Sequence, residues 1–532
     1  MTDEWWRSGV LYQIYPLSFA DSDGDGYGDL QGIVDHLDHL AWLGVDGIWL
    51  NPVTPSPNAD WGYDVSDYTS IHPDLGDLET FDRLVAETAG RGIRVIIDLV
   101  PNHTSDEHPW FLDARSSRDA RHRDWYVWAD PKPDGSPPNN WRSVFGGPAW
   151  TLDEGTGQYY LHNFLPQQPD LNWWNDDVRD AFDDILRFWL DRGVAGFRID
   201  VANGIVKDRE LRDNPPLTDE DHPILRPLGL RPVFNMNRPE VHEVFQRWRA
   251  LVDAYRPERV LLGETWVLDL EQLVRFYGKG TDQLHLAMNF PFLFAGFGPA
   301  MRAVVEAAEA GLPSGAWSAW HGSSHDSGRF PTRWCGGDPR KVRAALVVLL
   351  TLRGTPLLYY GDEIGMAEVA VPRERLRDPV GIRGWPQDPG RDRARTPMPW
   401  TGGAMGGFTR PGVEPWLPPG DPAAANVADQ RGDPGSVLNL CRELIALRRT
   451  RPDLAVGDFA AVKAPDGVWA WRRGRDTLVA VNASDARAKM DLGEGAVLLG
   501  TRRDREGHRG PLTLEPWEAV VVEGAVRLST PR

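Results

Sequence analysis

Cysteine is nearly absent from this chain. Cys335 and Cys441 stand far apart, so a disulfide scaffold is excluded and two free thiols are expected. Lysine is almost as scarce. With only Lys132, Lys207, Lys279, Lys341, Lys463 and Lys489, nearly all positive charge is arginine, a compositional bias that carries no functional reading. No apolar stretch approaches the roughly 20 residues that span a bilayer. The opening Met-Thr-Asp-Glu-Trp-Trp-Arg has neither the basic start nor the apolar core of an export signal, so a cytoplasmic protein is expected. A net charge of −19 argues against nucleic acid and anionic membrane surfaces, which would repel the average field of the protein. A neutral partner such as a sugar fits that charge. Internal repeats and low-complexity tails are also missing.

What is present is the composition of a soluble globular protein, 41% hydrophobic and 25% charged, able to bury a sizeable core. Its 532 residues exceed one ordinary domain, although an α/β barrel of roughly 250 residues absorbs much of them. Short apolar runs alternate with longer stretches of helical period. The runs are 10–16, 44–50, 94–100, 193–200, 259–266, 284–291, 318–326 and 354–363, and an intervening segment such as Val178-Arg-Asp-Ala-Phe-Asp-Asp-Ile-Leu-Arg-Phe-Trp-Leu is amphipathic. Eight strands alternating with helices predict a (β/α)₈ barrel. The 24 tryptophans are mainly core fillers, with Trp61, Trp266 and Trp400, beside the motifs described next, as candidates for stacking on sugar rings.

Two spacings break the alternation. About seventy residues rich in Pro, Gly, Trp and Asn follow the third run, far beyond βα loops of roughly 2–6 residues, so an inserted subdomain is expected over 104–172. Residues 366–433 after the eighth run are again long and Pro/Gly-rich and are expected to frame the mouth of a site. From about Ala455 short alternating segments such as Val468-Trp-Ala-Trp-Arg, separated by Asp-Gly and Gly-Arg turns, predict a small antiparallel β domain over 455–532. The barrel then occupies 1–103 and 173–454.

Four of the runs deliver polar groups at their ends: Arg94-Val-Ile-Ile-Asp98-Leu-Val-Pro-Asn102-His103, Gly193-Val-Ala-Gly-Phe-Arg198-Ile-Asp200, Val260-Leu-Leu-Gly-Glu264-Thr-Trp, and Trp320-His-Gly-Ser-Ser324-His325-Asp326. In an extended strand Arg198 and Asp200 share a face. Three acids on separate strand ends are what carboxylate-based glycoside cleavage requires. On these motifs the chain resembles the α-amylase superfamily (glycoside hydrolase family 13), and within it the α-glucosidase and oligo-1,6-glucosidase branch.

The resemblance implies Asp200 as nucleophile, Glu264 as proton donor and then base, and Asp326 as the group that strengthens its hold on the sugar in the transition state. A retaining pair stands roughly 5–5.5 Å apart. Glu264 is expected to be raised by its neighbouring carboxylates, and Arg198 to keep Asp200 ionised. The resemblance further implies that His103 and His325 hydrogen-bond the glucose, Asn102 braces the site, Tyr63 stacks under the ring, Phe164 belongs to the substrate pocket, and Asp60 pairs with Arg393 to grip the outer hydroxyls of a terminal glucose. Gln168-Pro-Asp-Leu-Asn172 resembles the fifth family region in its oligo-1,6-glucosidase form. The implied activity is an exo-acting α-glucosidase on short maltose-type oligosaccharides, with an isomaltase-type enzyme or a transglucosylase such as trehalose synthase as alternatives, acting as a monomer or homodimer.

Asp21-Ser-Asp23-Gly-Asp25-Gly-Tyr27-Gly-Asp29 alternates carboxylates with small residues, so several oxygens can converge on one hard cation; Gly32 at the twelfth position excludes an EF-hand. The resemblance implies structural Ca²⁺ or Mg²⁺, held by Asp21, Asp23, Asp25, Asp29 and the carbonyl of Tyr27. One departure stands out: Ser324 occupies the place where the family motif has Asn, while Arg329 keeps its usual offset. Val201, after the nucleophile, accompanies α-1,6 cleavage in some relatives.

Overall fold

The computed structural model describes residues 4–524. Eight parallel strands, β1 (Leu11–Ile14), β2 (Gly47–Leu50), β3 (Arg94–Leu99), β4 (Gly196–Ile199), β5 (Val260–Gly263), β6 (Leu286–Ala287), β7 (Ala319–His321) and β8 (Thr355–Tyr359), lie in the order β7-β8-β1-β2-β3-β4-β5-β6. A parallel bridge between Met288 and Ala319 joins the last strand to the first and closes the barrel. Every strand falls inside one of the eight apolar runs.

Alternation along each strand divides the apolar residues between two cores. Leu11, Trp49, Ile96, Leu262 and Leu357 point to the barrel axis, where Trp5 and Trp6 of the first helical turn join them. Their neighbours Tyr12, Ile48, Val95, Leu261 and Leu358 pack outward against the helices. The helix Asp176–Asp191 shows how the outer layer is specified. Asn175 caps it by accepting from the Asp177 N–H, and Val178, Phe182, Ile185, Leu186 and Trp189 form its buried stripe.

The insertion after β3 contains a three-stranded antiparallel sheet (Trp128–Ala129, Gln158–Leu161, Trp150–Asp153) with a small core of Trp141, Ala149, Trp150 and Leu161. A second long connection, not anticipated from the sequence, runs from Asp200 to the helix at Val241 with no strand in it. Beyond residue 455 six antiparallel strands, β9 (Phe459–Val462), β10 (Val468–Arg473), β11 (Thr477–Asn482), β12 (Ala488–Gly500), β13 (Arg509–Leu514) and β14 (Ala519–Glu523), pair in the order β9-β10-β11-β14-β12-β13.

Two buried arginines fasten this sheet and its preceding helix to the barrel through carbonyls. Arg448 donates to Ser8, Leu350 and Leu352 at 3.1–3.2 Å, and Arg473 donates to Thr351 at 2.6 Å and Gly457 at 3.0 Å. No helix among the described residues is long and apolar enough to cross a membrane.

Candidate active site

The carboxyl ends of β3, β4, β5 and β7 converge on one open cavity lined by Asp60, Tyr63, His103, Asp200, Glu264, Asp326 and Arg391. Strand register builds its floor. Asp98 of β3 is directly paired with Arg198 of β4, so the guanidinium, 1% exposed, meets Asp98 Oδ1 at 2.7 Å. The same Nη1 reaches Asp200 Oδ1 at 2.6 Å, as the shared-face argument expected, and Nη2 reaches Glu264 Oε2 at 3.0 Å. Glu264 Oε2 also accepts the Val201 N–H at 2.8 Å, which ties the end of β5 to the turn after β4.

One expectation is corrected here. Arg198 does not hold Asp200 low by itself, because its single charge is divided among three carboxylates. Burial pushes Asp200 well above the usual carboxylate range against the pull of Arg198, with Glu264, Asp98 and Asp326 adding to the rise. Burial raises Glu264 too, opposed by Arg198 and reinforced by Asp326. The expected rise of Glu264 is therefore present, but burial leads it and neighbouring charge follows. Asp200 and Glu264 are thus raised together, each by burial first.

Asp326 is the opposite case. Burial would raise it, but His325, Arg391 and Arg395 outweigh burial and hold it well below the usual range. His325 Nε2 lies 3.0 Å from Asp326 Oδ2, and Asp326 Oδ1 takes Arg391 at 3.1 Å and Arg395 at 3.0 Å. The amide of Gln13 donates to His325 Nδ1 at 2.8 Å, which leaves the proton on Nε2 to be shared between Asp326 and the Tyr63 hydroxyl, 2.7 Å away. Burial drives the His325 pKa down to about 4, so the ring is neutral near pH 7. Ser324 replaces the family asparagine by a different device: its hydroxyl accepts the N–H groups of Asp326 (3.2 Å) and Ser327 (3.0 Å) and fixes the turn carrying Asp326.

The pairing of Asp60 with Arg393 is overturned. Asp60 Oδ1 meets Arg391 at 2.5 Å, whereas Arg393 is 47% exposed on its side chain and pairs with Glu368 at 3.1 Å. The segment turns as a 3₁₀ helix over Asp392–Ala394, so Arg391 and Arg395 face the cavity and Arg393 faces out. Asp378 fixes Arg391 from behind at 2.7 Å, and the Arg391 guanidinium lies over the Phe145 ring. Neither Arg391, Arg395 nor Asp378 was singled out from the sequence. Three arginines within five residues were the available signal, but the 3₁₀ turn and not their spacing selects which two face the cavity.

Around the sugar-sized end of the cavity, Tyr63 lies flat against His325 with ring centroids 5.3 Å apart, and its hydroxyl donates to Asp98 at 3.1 Å. His103 is brought in by Asn102, whose amide donates to its Nδ1 at 2.9 Å, so that Nε2 carries the proton and donates to the Tyr63 carbonyl at 3.0 Å; Gln168 lies beside that nitrogen and donates to Asp60 at 3.2 Å. Burial takes the His103 pKa down to about 3, leaving a neutral ring. Phe164 packs against His103 and Phe145. Behind them the Lys207 ammonium bridges Asp170 of the insertion (3.0 Å), the Asn102 side chain and the Gly204 carbonyl (2.6 Å). Val144, Val201, Asn203, Leu228, Pro232, Met236 and Trp266 complete the lining. Val144, Leu228, Pro232 and Met236 were not foreseen, although for the last three the connection from Asp200 to Val241 far exceeds ordinary βα loops of roughly 2–6 residues.

The acidic loop lies apart, in the first strand-to-helix connection. Oxygens of Asp21, Asp23 and Asp29 lie within 4.8 Å of one another. Asp25 stands outside that group, its carboxylate accepting the Tyr27 N–H at 2.8 Å, so three of the four expected carboxylates converge. Gly26 takes φ +97° so that its N–H can reach Asp21 Oδ2 at 2.8 Å, and a Cβ there would stand 2.5 Å from the Glu414 carbonyl. The convergent oxygens suit a hard divalent cation.

Residues 13–457 match the family model of the alpha amylase catalytic domain. The chain is 44% identical to a probable alpha-glucosidase of Rhizobium meliloti (strain 1021), over 92% of this chain and 91% of that one, and 37% identical to an oligo-1,6-glucosidase of Heyndrickxia coagulans, over 97% and 99%. Among solved structures, an alpha-glucosyl transfer enzyme superposes with a TM-score of 0.91 at 41% identity, covering 98% of this chain and 99% of that one. The isomaltulose synthase of Protaminobacter rubrum gives 0.88 at 31% identity over all of both chains. With its closed barrel, its inserted subdomain and its ring of strand-end carboxylates, the chain belongs to the alpha-amylase family of glycoside hydrolases.

Proposed function

We propose that the protein is a retaining, exo-acting α-glucosidase that removes single glucose units from the non-reducing ends of short α-glucosides. The observation that carries this reading is the Asp60–Arg391 pair, buried across one end of the cavity and braced by Asp378 and Gln168. A chain continuing past its terminal glucose would have to break that pair and leave two buried charges unsatisfied. The relatives named alpha-glucosidase and oligo-1,6-glucosidase support the same class.

In this mechanism Asp200 attacks the anomeric carbon while Glu264 protonates the departing oxygen, giving a glucosyl ester on Asp200; Glu264 then takes a proton from water as the ester is displaced. The reaction calls for Asp200 ionised and the proton on Glu264, whose carboxyl burial already raises. Asp326, His103 and His325 hold hydroxyls of the same glucose. The Asp21, Asp23 and Asp29 loop, with the Tyr27 carbonyl, would hold a structural Ca²⁺ or Mg²⁺ that takes no part in the chemistry. We assign the protein to the cytoplasm and leave monomer and homodimer as its two expected states.

A second reading, glucosyl transfer to another sugar, is favoured by the structural likeness to an alpha-glucosyl transfer enzyme. Product analysis separates the two. Maltose and maltotriose should yield glucose, released as the α-anomer, while starch viscosity falls slowly; a new disaccharide from maltose alone would move the assignment to transfer, and rapid loss of viscosity would refute the closed end. Glu264→Gln should lose roughly 10²–10⁴-fold on maltose but far less on a nitrophenyl α-glucoside, with azide restoring part of the latter. Equal losses on both substrates would point to a different acid.

A further inference from the structure

Six of the seven arginines buried among the described residues have oxygen partners. Arg123, Arg329, Arg448 and Arg473 donate to main-chain carbonyls, and Arg198 and Arg395 meet carboxylates. The seventh is Arg259, 9% exposed. Among the described residues it makes no ion pair and donates no hydrogen bond, and its Nε is buried without a partner.

Arg259 immediately precedes β5, at the amino end of the barrel and the opposite end of that strand from Glu264. Val260 points to the barrel axis, so Arg259 turns outward, into a groove that it lines with Val85 and Thr88 of the helix Leu78–Gly90 and with Gly92, Pro257 and Glu258. The guanidinium carbon stands 5.9 Å from the centre of the Tyr255 ring, whose hydroxyl donates to Asp191. Burial pulls the guanidinium below its usual range, opposed only by the Tyr255 phenol, yet an arginine keeps its proton near pH 7. Nothing else in the groove serves it. The charges acting on the Glu258 carboxyl are those of Glu4, Arg249, Asp253 and Arg256, and the Thr88 hydroxyl donates to the carbonyls of Leu84 and Val85. At Gly92 the groove is open, since a Cβ there would meet no atom within 4 Å.

We infer that this groove is an anion site, in which Arg259 takes the phosphate or carboxylate group of a small solute at the far end of the barrel from the glucoside cavity. A buried charge without a partner costs several kcal/mol by general experience, and the six other buried arginines avoid that cost. The guanidinium fork presents parallel N–H groups that match two oxygens of one carboxylate or phosphate. Val85, Ile93 and Pro257 give the groove apolar walls, which strengthen the attraction by keeping water from part of the contact. The amino-terminal face of such a barrel bears on stability and not on chemistry, so a bound anion stabilises the fold and leaves the reaction alone.

The test dialyses the intact protein to equilibrium against radiolabelled inorganic phosphate and, separately, acetate, at fixed ionic strength in chloride. The comparison is Arg259→Met, which keeps an apolar stem in place. The wild type should bind about one equivalent of at least one probe that Arg259→Met binds at least about tenfold more weakly, and the probe held more tightly identifies the group. Arg259→Lys keeps the charge without the fork and should fall between them; it also carries the comparison if Arg259→Met does not fold. In chloride alone Arg259→Met should melt at or above the wild type, because an unpaired buried charge has been removed, and the bound anion should raise the wild type relative to the variant. Binding of neither probe, or equal binding by wild type and variants, overturns the assignment. A folded Arg259→Met that melts well below the wild type in chloride overturns it too, since Arg259 would then be satisfied by the protein alone.

Discussion

Two clusters of carboxylates lie at the same end of the barrel and are neutralised in different ways. In the central cavity six acids, Asp60, Asp98, Asp200, Glu264, Asp326 and Asp378, surround three arginines, Arg198, Arg391 and Arg395. In the Asp21–Asp29 loop four acids have no Lys or Arg ion pair among the described residues, and backbone N–H groups of Gly24, Gly26 and Gly32 serve them instead. In the first cluster burial raises Asp200 and Glu264 while the arginines hold Asp326 and Asp378 low. The second feeds its acids from backbone amides, the arrangement proposed above to hold a structural cation.

The sharpest way to break this contrast is Asp200→Asn. It removes the proposed nucleophile but keeps the shape, so kcat on maltose should fall at least ~10³-fold with the melting temperature near or above that of the wild type. A fluorinated glucoside should label the wild type on Asp200, seen by peptide mass; a label elsewhere would end the assignment.

Next in size is the pair Arg391→Ala and Arg393→Ala. Losing Arg391 strands Asp60, Asp326 and Asp378, so stability should drop by about 3–5 kcal/mol and kcat/KM by ~10²-fold or more. Losing the half-exposed Arg393 should cost about 0–1 kcal/mol. Similar melting curves for the two variants would contradict the geometry.

A smaller effect sharpens the comparison through pH. Burial pushes the Asp378 carboxyl up, but Arg391 and Arg395 outweigh it and hold it at about 2. A depressed carboxyl contributes stability that is present above its unfolded pKa of about 3.9 and lost as pH falls through the folded value. The stability gap between wild type and Asp378→Asn should therefore shrink by about 2 kcal/mol between pH 5 and pH 2, as followed by denaturant titration. A constant gap would mean that the Arg391 contact does not set this titration.

The smallest expected effect belongs to the loop. Stripping divalent ions should lower the melting temperature by about 2 °C or more, reversibly with Ca²⁺, and leave low-temperature activity largely intact. If metal-free protein melts identically with and without Ca²⁺, the loop is an acidic turn held by its own amides.

The barrel was legible because buried parallel strands read as continuous apolar runs, and each of the eight runs contains one strand. The acids were legible for the related reason that each closes such a run, as Asp200 closes Phe197-Arg198-Ile199. Arg391 was not. In an irregular, Pro- and Gly-rich segment no period relates position to direction, so choosing among Arg391, Arg393 and Arg395 needed the 3₁₀ turn itself. Part of the cavity lining escaped for a similar reason: Leu228, Pro232 and Met236 lie in a connection whose path is set by what it covers. The division of Arg198 among three carboxylates could be seen only once strand register had set Asp98 beside it.

The carbonyl-bound arginines under the C-terminal sheet bear on how the molecule comes apart. Arg448 belongs to the last long helix before the sheet and donates to Ser8, Leu350 and Leu352 within the barrel, whereas Arg473 of the sheet donates across the boundary to Thr351 and back to Gly457. Detaching the sheet would strip the buried Arg473 guanidinium of its barrel carbonyl, a cost that favours the two parts melting together. The β domain, though remote from the carboxylates, thus bears on the temperature at which they stay in register.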